Sequence, residues 1–184
     1  MVLSEEQILV TLTDVFRQYG YEGASLAAIA EATGLAKASL YHRFPGGKAQ
    51  MAEAVMDRAR VWLDTVALVP LRDQSLPIRD RVLAMTRQLD AFYQSGEKSC
   101  LLDALSIGEA GSALRGMTRD ALDLWAGELA AAVAAAGYDE EVAARRAERA
   151  ITLIQGALIV SRIKGDPAPF RRVLAELPEQ LLGG

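Results

Sequence analysis

The sequence predicts an all-α protein of about nine helices, and three observations predict it. Alanine supplies 32 of the 184 residues while Gly and Pro together supply 21, a composition rich in the best helix former and poor in helix breakers. Outside the two Trp there are only nine aromatic residues, too few for the aromatic clusters that mark sheets. Apolar residues recur three and four apart along most of the chain, and no segment alternates convincingly with a period of two. The length allows one large domain or two small ones sharing a core.

Ser4 and Gln7 form a capping box, after which Ile8, Leu9, Leu12, Val15, Phe16 and Tyr19 fall on one stripe until Gly20 stops the helix. A second, short helix follows Ser25, turns Leu26, Ile29 and Ala30 inward and ends at Thr33-Gly34. A third covers 36–43 with Leu40 and Phe44 towards the core, and Pro45-Gly46-Gly47 makes a turn. The fourth runs over 48–66, carrying Met51, Val55, Trp62 and Val66 on its apolar side. Residues 68–76 contain Pro70, close on Pro77, and read as a loop. Pro77 suits a first helical turn and opens a helix to about 94, with Ile78, Val82, Met85, Leu89 and Phe92 as its stripe. A short segment, 101–107, lies among Gly96, Gly108 and Gly111, which would give it the freedom of a latch. A helix over 112–136 stops at Gly137; another runs from Asp139 to Lys164 before Gly165; a last one covers 168–177 or a little more.

Several function classes fall away on composition. One Cys and one His exclude a disulfide framework and a multi-thiolate or His-based metal site, so no metal and no cofactor are expected. Cys100 has Lys98 as its only near basic neighbour and reads as a partly buried, inert thiol. Glu5 and Glu6 interrupt the N-terminal stretch, which argues against a secretory signal. The longest uncharged run, 150–161, has twelve residues where a bilayer needs about 20. A soluble, cytoplasmic protein without a membrane partner is expected. Acids lie beside bases, as in Asp80-Arg81 and over 140–149, rather than paired in an apolar cleft or set beside a nucleophile, so an enzyme is not expected.

The net charge of −4 looks wrong for a nucleic-acid binder until the charges are placed. Residues 1–48 hold four Lys/Arg against five Asp/Glu, yet 32–52 contain no acid and do contain Lys37, His42, Arg43 and Lys48. The local patch matters more than the sum. Within it two short helices are joined by Thr33-Gly34-Leu35. Gly34 supplies the positive φ of a tight interhelical turn, Ala30 is small where the helices cross, and Ile29, Leu35 and Leu40 plug the gap. This is helix-turn-helix geometry, in which the second helix enters a DNA major groove. An ordinary helical hairpin can show the same pattern and stays open on the pattern alone.

The string L-A-A-I-A-E-A-T-G-L-A-K-A-S-L-Y-H-R-F-P-G-G-K over 26–48 resembles the N-terminal domain of TetR-family transcriptional regulators. The preceding V-F-R-Q-Y-G-Y-E-G-A-S is similar to that family's first helix and connector. The F-P-G-G-K turn, one residue longer than the commoner form, is similar to the LmrA/YxaF-like branch. The resemblance covers about 5–55. It implies a homodimeric repressor with a helix-turn-helix DNA-binding domain at 1–48 and a ligand-binding and dimerisation domain at 49–184, whose small-molecule effector releases the operator. Lys37 and Ser39 then face base edges or nearby phosphates. Tyr41 and His42 sit where the family places base and phosphate contacts, with packing of Tyr41 on the first helix and a merely solvated His42 as the alternatives. Lys48, opening the fourth helix, adds its ammonium to a positive helix end as a phosphate site. Ser25 caps the second helix and touches a phosphate, and Gly47 lets the backbone approach the DNA. Ala36 departs from the family's usual Ser or Thr cap, which costs the third helix about 1 kcal/mol.

The penultimate helix is apolar on every side, which a monomer of this size can hardly bury. Ile151, Ile154, Leu158 and Ile159, with Phe170, Val173 and Leu174 of the last helix, are therefore expected to form a two-fold four-helix dimer interface; a central core helix is the alternative. Two recognition helices one turn apart would read a palindromic operator in double-stranded DNA. Trp62, Met85, Leu89, Phe92, Tyr93, Leu105, Met117, Leu122 and Trp125 are plausible walls of a pocket for a mainly hydrophobic effector, or plain core. The expected function is a ligand-responsive DNA-binding repressor. A helical small-molecule-binding or partner-docking protein without DNA binding is the alternative, supported only by Ala36 and the net charge.

Overall fold

A computed structural model describes residues 4–107 and 112–183. Among the described residues every regular element is helical: α1 (Glu5–Gly23), α2 (Leu26–Thr33), α3 (Lys37–Arg43), α4 (Gly47–Trp62), α5 (Val69–Arg72), α6 (Ile78–Phe92), α7 (Leu101–Ser106), α8 (Ser112–Ala135), α9 (Glu140–Lys164) and α10 (Ala168–Leu182). The chain forms two compact units. The first is Met1–Arg60 with Cys100–Asp120, the second Val61–Ser99 with Ala121–Gly184.

In the first unit the capping box at the start of α1 is formed as its residues demand. The Gln7 N–H donates to Ser4 Oγ at 3.2 Å, and the Ser4 N–H donates to Gln7 Oε1 at 2.8 Å. α1 breaks at Gly20, whose φ of +65° needs glycine; a Cβ there would also stand 3.3 Å from the Ala104 carbonyl of α7. Tyr19, last on the expected stripe, is exposed one residue before the break. Ile8, Leu12 and Phe16 of α1 join Ile29, Leu40, Phe44, Met51 and Val55 in one buried cluster. Leu101 and Leu105 of α7 belong to the same cluster. Both leucines of the segment expected to act as a latch, 101–107, thus pack as core; Gly108 and Gly111 lie outside the described residues. Cys100 is buried at the entry to α7.

The second unit corrects the expected end of the fourth helix and the loop after it. α4 keeps α-helical bonding only to Trp62, and Leu63–Ala67 forms a π-helical turn in which the Leu68 N–H reaches back to the Leu63 carbonyl at 2.9 Å. The stretch read as a loop contains α5, because Pro70 falls in a first turn that needs no N–H from it. Leu68 and Leu71 are buried there. Arg72 fastens this corner, pairing with Asp64 at 2.5 Å and Glu128 at 2.8 Å and donating to the Asp64 carbonyl at 3.2 Å. Its bonds to Glu128 and Asp64 raise the guanidinium pKa above its ordinary value. Trp62 stacks on Phe92 at 3.7 Å, and Phe92, Tyr93 and Phe170 continue edge to face.

On α9 and α10 most of the residues expected at a dimer interface are buried within their own chain. On α9, Ala143, Ala147, Ala150, Ile151, Ile154, Ala157, Leu158 and Ser161 form one buried stripe at helical spacing. Phe170, Leu174 and Leu177 of α10 are buried too. The Phe170 N–H donates to Ser161 Oγ at 3.1 Å, while Arg146 donates to the Leu181 and Gly183 carbonyls at 2.8 and 2.7 Å. Ile151, Ile154, Leu158, Phe170 and Leu174 are thus covered by their own chain. Of the seven residues expected at an interface, Val173 is half-buried and Ile159 exposed. Ile159 shares the outward apolar face of α9 with Val160 and Ile163, the last 77% exposed. Among the described residues no helix is long and apolar enough to cross a membrane.

Candidate nucleic-acid interface

α2 and α3 build the candidate interface from the bottom up. Ser25 caps α2, its Oγ accepting from the Ala28 N–H at 3.1 Å. Buried Thr33 donates its hydroxyl to the Ile29 carbonyl at 2.7 Å, which closes the helix from inside. Gly34 then turns the chain with φ +66° and ψ 14°. A Cβ on Gly34 would meet nothing within 4 Å, so the requirement for glycine is conformational rather than steric. Ala36 occupies the N-cap of α3 in extended geometry and makes no side-chain cap bond, as the sequence predicts.

α3 is held almost entirely by Leu40, which is buried, and by buried Phe44 just beyond it. Lys37, Ala38, Ser39, Tyr41, His42 and Arg43 are all exposed. Ala38, Ser39, His42 and Arg43 line one surface depression, the spacing of a single helical face. Arg43, counted above only for its charge, therefore belongs to this face. Its position four residues after Ser39 is the signal that finds it. The face carries a guanidinium, a hydroxyl, an imidazole and a methyl, and no acid, which suits phosphates and base edges together.

The turn into α4 is more committed than the sequence suggests. Gly47 has φ +64° and is itself buried, with an added Cβ 3.5 Å from the Tyr41 ring. Tyr41 therefore lies over this turn, still about half exposed. The Gly46 N–H donates to Gln50 Oε1 at 2.8 Å. Lys48 Nζ donates to the Tyr21 carbonyl at 2.8 Å and stands 4.4 Å from that ring's centroid. An ammonium has three donors, so this bond leaves Lys48 two for a phosphate while tying it to the end of α1, past the break at Gly20.

The residues expected to wall a pocket do not gather in one unit. Leu105 and Met117 pack in the first unit's core. In the second, Met85, Leu89, Tyr93 and Trp125 are buried, Trp62 and Phe92 are partly buried in their stack, and Leu122 is exposed. The indole N–H of Trp125 is buried without an acceptor among the described residues.

Residues 8–55 match the model of bacterial regulatory proteins of the tetR family, and residues 78–176 match that of the C-terminal domain of LmrA/YxaF-like transcriptional regulators. The chain belongs to the TetR family. It is a DNA-binding transcriptional regulator of the LmrA/YxaF-like kind rather than an enzyme. The regulator is 25% identical over 179 residues to the HTH-type transcriptional regulator YxaF of Bacillus subtilis (strain 168), covering 95% of this chain and 93% of that one. Its fold is that of a TetR transcriptional regulator from Legionella pneumophila (TM-score 0.84, 21% identity, 98% of each chain). The same fold occurs in a cysteine variant of the TetR-family regulator CifR complexed with 26-bp double-strand operator DNA (TM-score 0.74, 24% identity, 98% of this chain and 97% of that one).

Proposed function

We propose that the regulator is a homodimeric repressor that occupies a palindromic operator and leaves it when a small, mainly hydrophobic effector binds. The observation that carries the reading is the exposed, acid-free face of α3, anchored by Leu40 and Phe44 and leaving six of its seven side chains outside. In this reading residues 1–48 are the DNA-binding domain and 49–184 the ligand-binding and dimerisation domain. Ser39, His42 and Arg43 read base edges in the major groove; Lys37, Tyr41, Lys48 and Ser25 meet phosphates, and Gly47 shapes the turn beneath Tyr41.

Dimerisation is supported by the outward apolar face of α9. Ile159, Val160 and Ile163 are exposed there beside exposed Gly156, and a self-complementary patch of this kind suits a two-fold contact. Of the other interface candidates, Val173 is half-buried and five are buried in their own chain. The effector reading rests on the buried apolar side chains of the second unit, Met85, Leu89, Tyr93 and Trp125, together with the orphaned indole N–H.

Fluorescence anisotropy on labelled DNA from the regulator's own upstream region, at several salt concentrations, tests the operator reading. Tight binding to one fragment with two protomers per half-site pair and a steep salt slope is the expected result. If DNA selected from a random pool binds no better than the pool itself, the operator reading is wrong.

A further inference from the structure

Away from α3, one surface groove in the second unit carries chemistry that DNA binding does not use. It lies between α6 and α10 and is lined by Leu83, Thr86, Arg87, Asp90, Arg171, Leu174 and Ala175. Four of these come from one face of α6 and three from one face of α10, and the two helices pack together within the unit. The volume is about 280 Å³, just below the range of about 300–1,000 Å³ typical of drug-sized ligands. An occupant is therefore small.

The charges select its chemistry. Asp90 has one carboxylate oxygen, Oδ1, sealed from water with no donor among the described residues. Arg87 and Arg171 are exposed on the two helices, and neither forms an ion pair with Asp90 or with any other described residue. A half-desolvated carboxylate gains more from an arriving cation than a fully hydrated one does. Two unpaired guanidinium groups present forks for a carboxylate. A plain amine would feel both arginines and a plain anion would feel Asp90; a molecule carrying both charges satisfies all three. Thr86 donates its hydroxyl to the Leu83 carbonyl at 2.9 Å, so the floor it shares with Leu174 is effectively apolar.

We propose that the α6–α10 groove binds a small zwitterion of the α-amino acid class with an aliphatic side chain. Its ammonium sits on Asp90, its carboxylate between Arg87 and Arg171, and its side chain against Leu83, Leu174 and Ala175. The site does not depend on operator release, and its test contains no DNA, so either reading can fail without the other.

The test is isothermal titration, with amide chemical shifts as a second readout, of the full chain against L-leucine. Isoamylamine, which lacks the carboxylate, and isocaproate, which lacks the amine, serve as half-ligands. Leucine should bind with shifts confined to α6 and α10, and each half-ligand should bind at least about tenfold more weakly, the scale of one charge-assisted hydrogen bond. Asp90→Asn and Arg171→Gln, both at partly or fully exposed positions, should each weaken leucine by a similar factor. Far-ultraviolet circular dichroism confirms that the variants are folded. The proposal is overturned if leucine gives neither heat nor shifts, if the folded variants bind as the parent does, or if either half-ligand matches leucine, which would make the groove a plain anion or amine site.

Discussion

Replacing Lys48 by Met separates two roles that its position combines. Met keeps the aliphatic stem and removes the ammonium. The lost contacts are the 2.8 Å bond to the Tyr21 carbonyl and the cation–π contact at 4.4 Å. A hydrogen bond to a charged group contributes about 1.5–3 kcal/mol, and a partly exposed cation–π contact about 0.5–1 kcal/mol. Lys48 is only partly buried, so the low ends apply and sum to about 2 kcal/mol. For a chain of this length that lowers the Tm by about 4–8 °C, readable by calorimetry. The proposed phosphate contact has a separate signature. Each phosphate contact contributes about 0.9 to the slope of log affinity against log salt, so a dimer losing two should flatten by about 1.8. The slope is measured by anisotropy well below either Tm. Lys37→Met is the control: Lys37 is exposed, so its Tm should hold while the slope flattens. A lower Tm with an unchanged slope would make Lys48 a strut for the end of α1 and remove it from the proposed DNA contacts. An unchanged Tm would refute the Tyr21 bond as a source of stability.

Four further outcomes follow from single side chains. Arg43→Ala should cost about 1–3 kcal/mol on the operator and little on random DNA; an equal loss on both, measured by competition anisotropy, means that Arg43 reads no base. Ala36 already has N-cap geometry, φ −63° and ψ 147°, so Ala36→Ser should add about 1 kcal/mol and raise the Tm by about 2–4 °C, and no rise would show that Ser cannot cap α3. Ile163→Asp, at the most exposed apolar side chain of α9, should give a folded monomer in sedimentation, whereas a dimer of unchanged strength places the interface elsewhere. Asp73 accepts the Ser75 hydroxyl at 2.6 Å and N–H at 3.0 Å, and these bonds hold its pKa below the ordinary value. A lowered folded pKa stabilises above the unfolded pKa and is lost as pH falls through the folded one, so the Tm gap between parent and Asp73→Ala should be constant above about pH 5 and shrink below about pH 4; a gap that widens in acid contradicts this.

Local signals in the sequence were sufficient where a residue acts on its own neighbours. The Ser4–Gln7 box, the Ser25 cap, the positive φ at Gly34 and the empty cap at Ala36 all involve partners within four residues, and each is legible from residue type and spacing. What depends on distant partners was not. Nothing in Leu101 or Leu105 says that they complete a core with Ile8 and Phe16, some ninety residues away in the chain. The stripe of α9 reads as apolar all round because small and large apolar residues occupy both its covered and its outward faces, so periodicity alone could not tell cover by α10 from cover by a second copy. Lys48 was legible as a cation at a helix start, but its bond to Tyr21 spans 27 positions. A pocket for the proposed effector was least legible of all, since a buried Met, Leu or Trp has the same chemistry as core and as wall.

α3 shows how a face proposed for DNA can be legible in the sequence with so little of the fold in hand. Stability and recognition are divided between different side chains of one seven-residue helix. Leu40 and the following Phe44 supply the burial, roughly 1.5–3 kcal/mol each for side chains of this size. The other six positions of α3 bury little and lack even the cap that would strengthen the helix. Substitutions at 37–39 and 41–43 should therefore change affinity with stability held, and substitutions of Leu40 should do the reverse, unfolding the unit before altering any base preference. Leu40 and Arg43 are three positions apart on one helix, closer than the ~7–10 Å beyond which effects add, so a double variant tests whether packing and recognition separate here. Coupling between Leu40→Ala and Arg43→Ala beyond about 0.5 kcal/mol would mean that the helix repositions as it loosens, and that the face on α3 is set by its packing as much as by its residues.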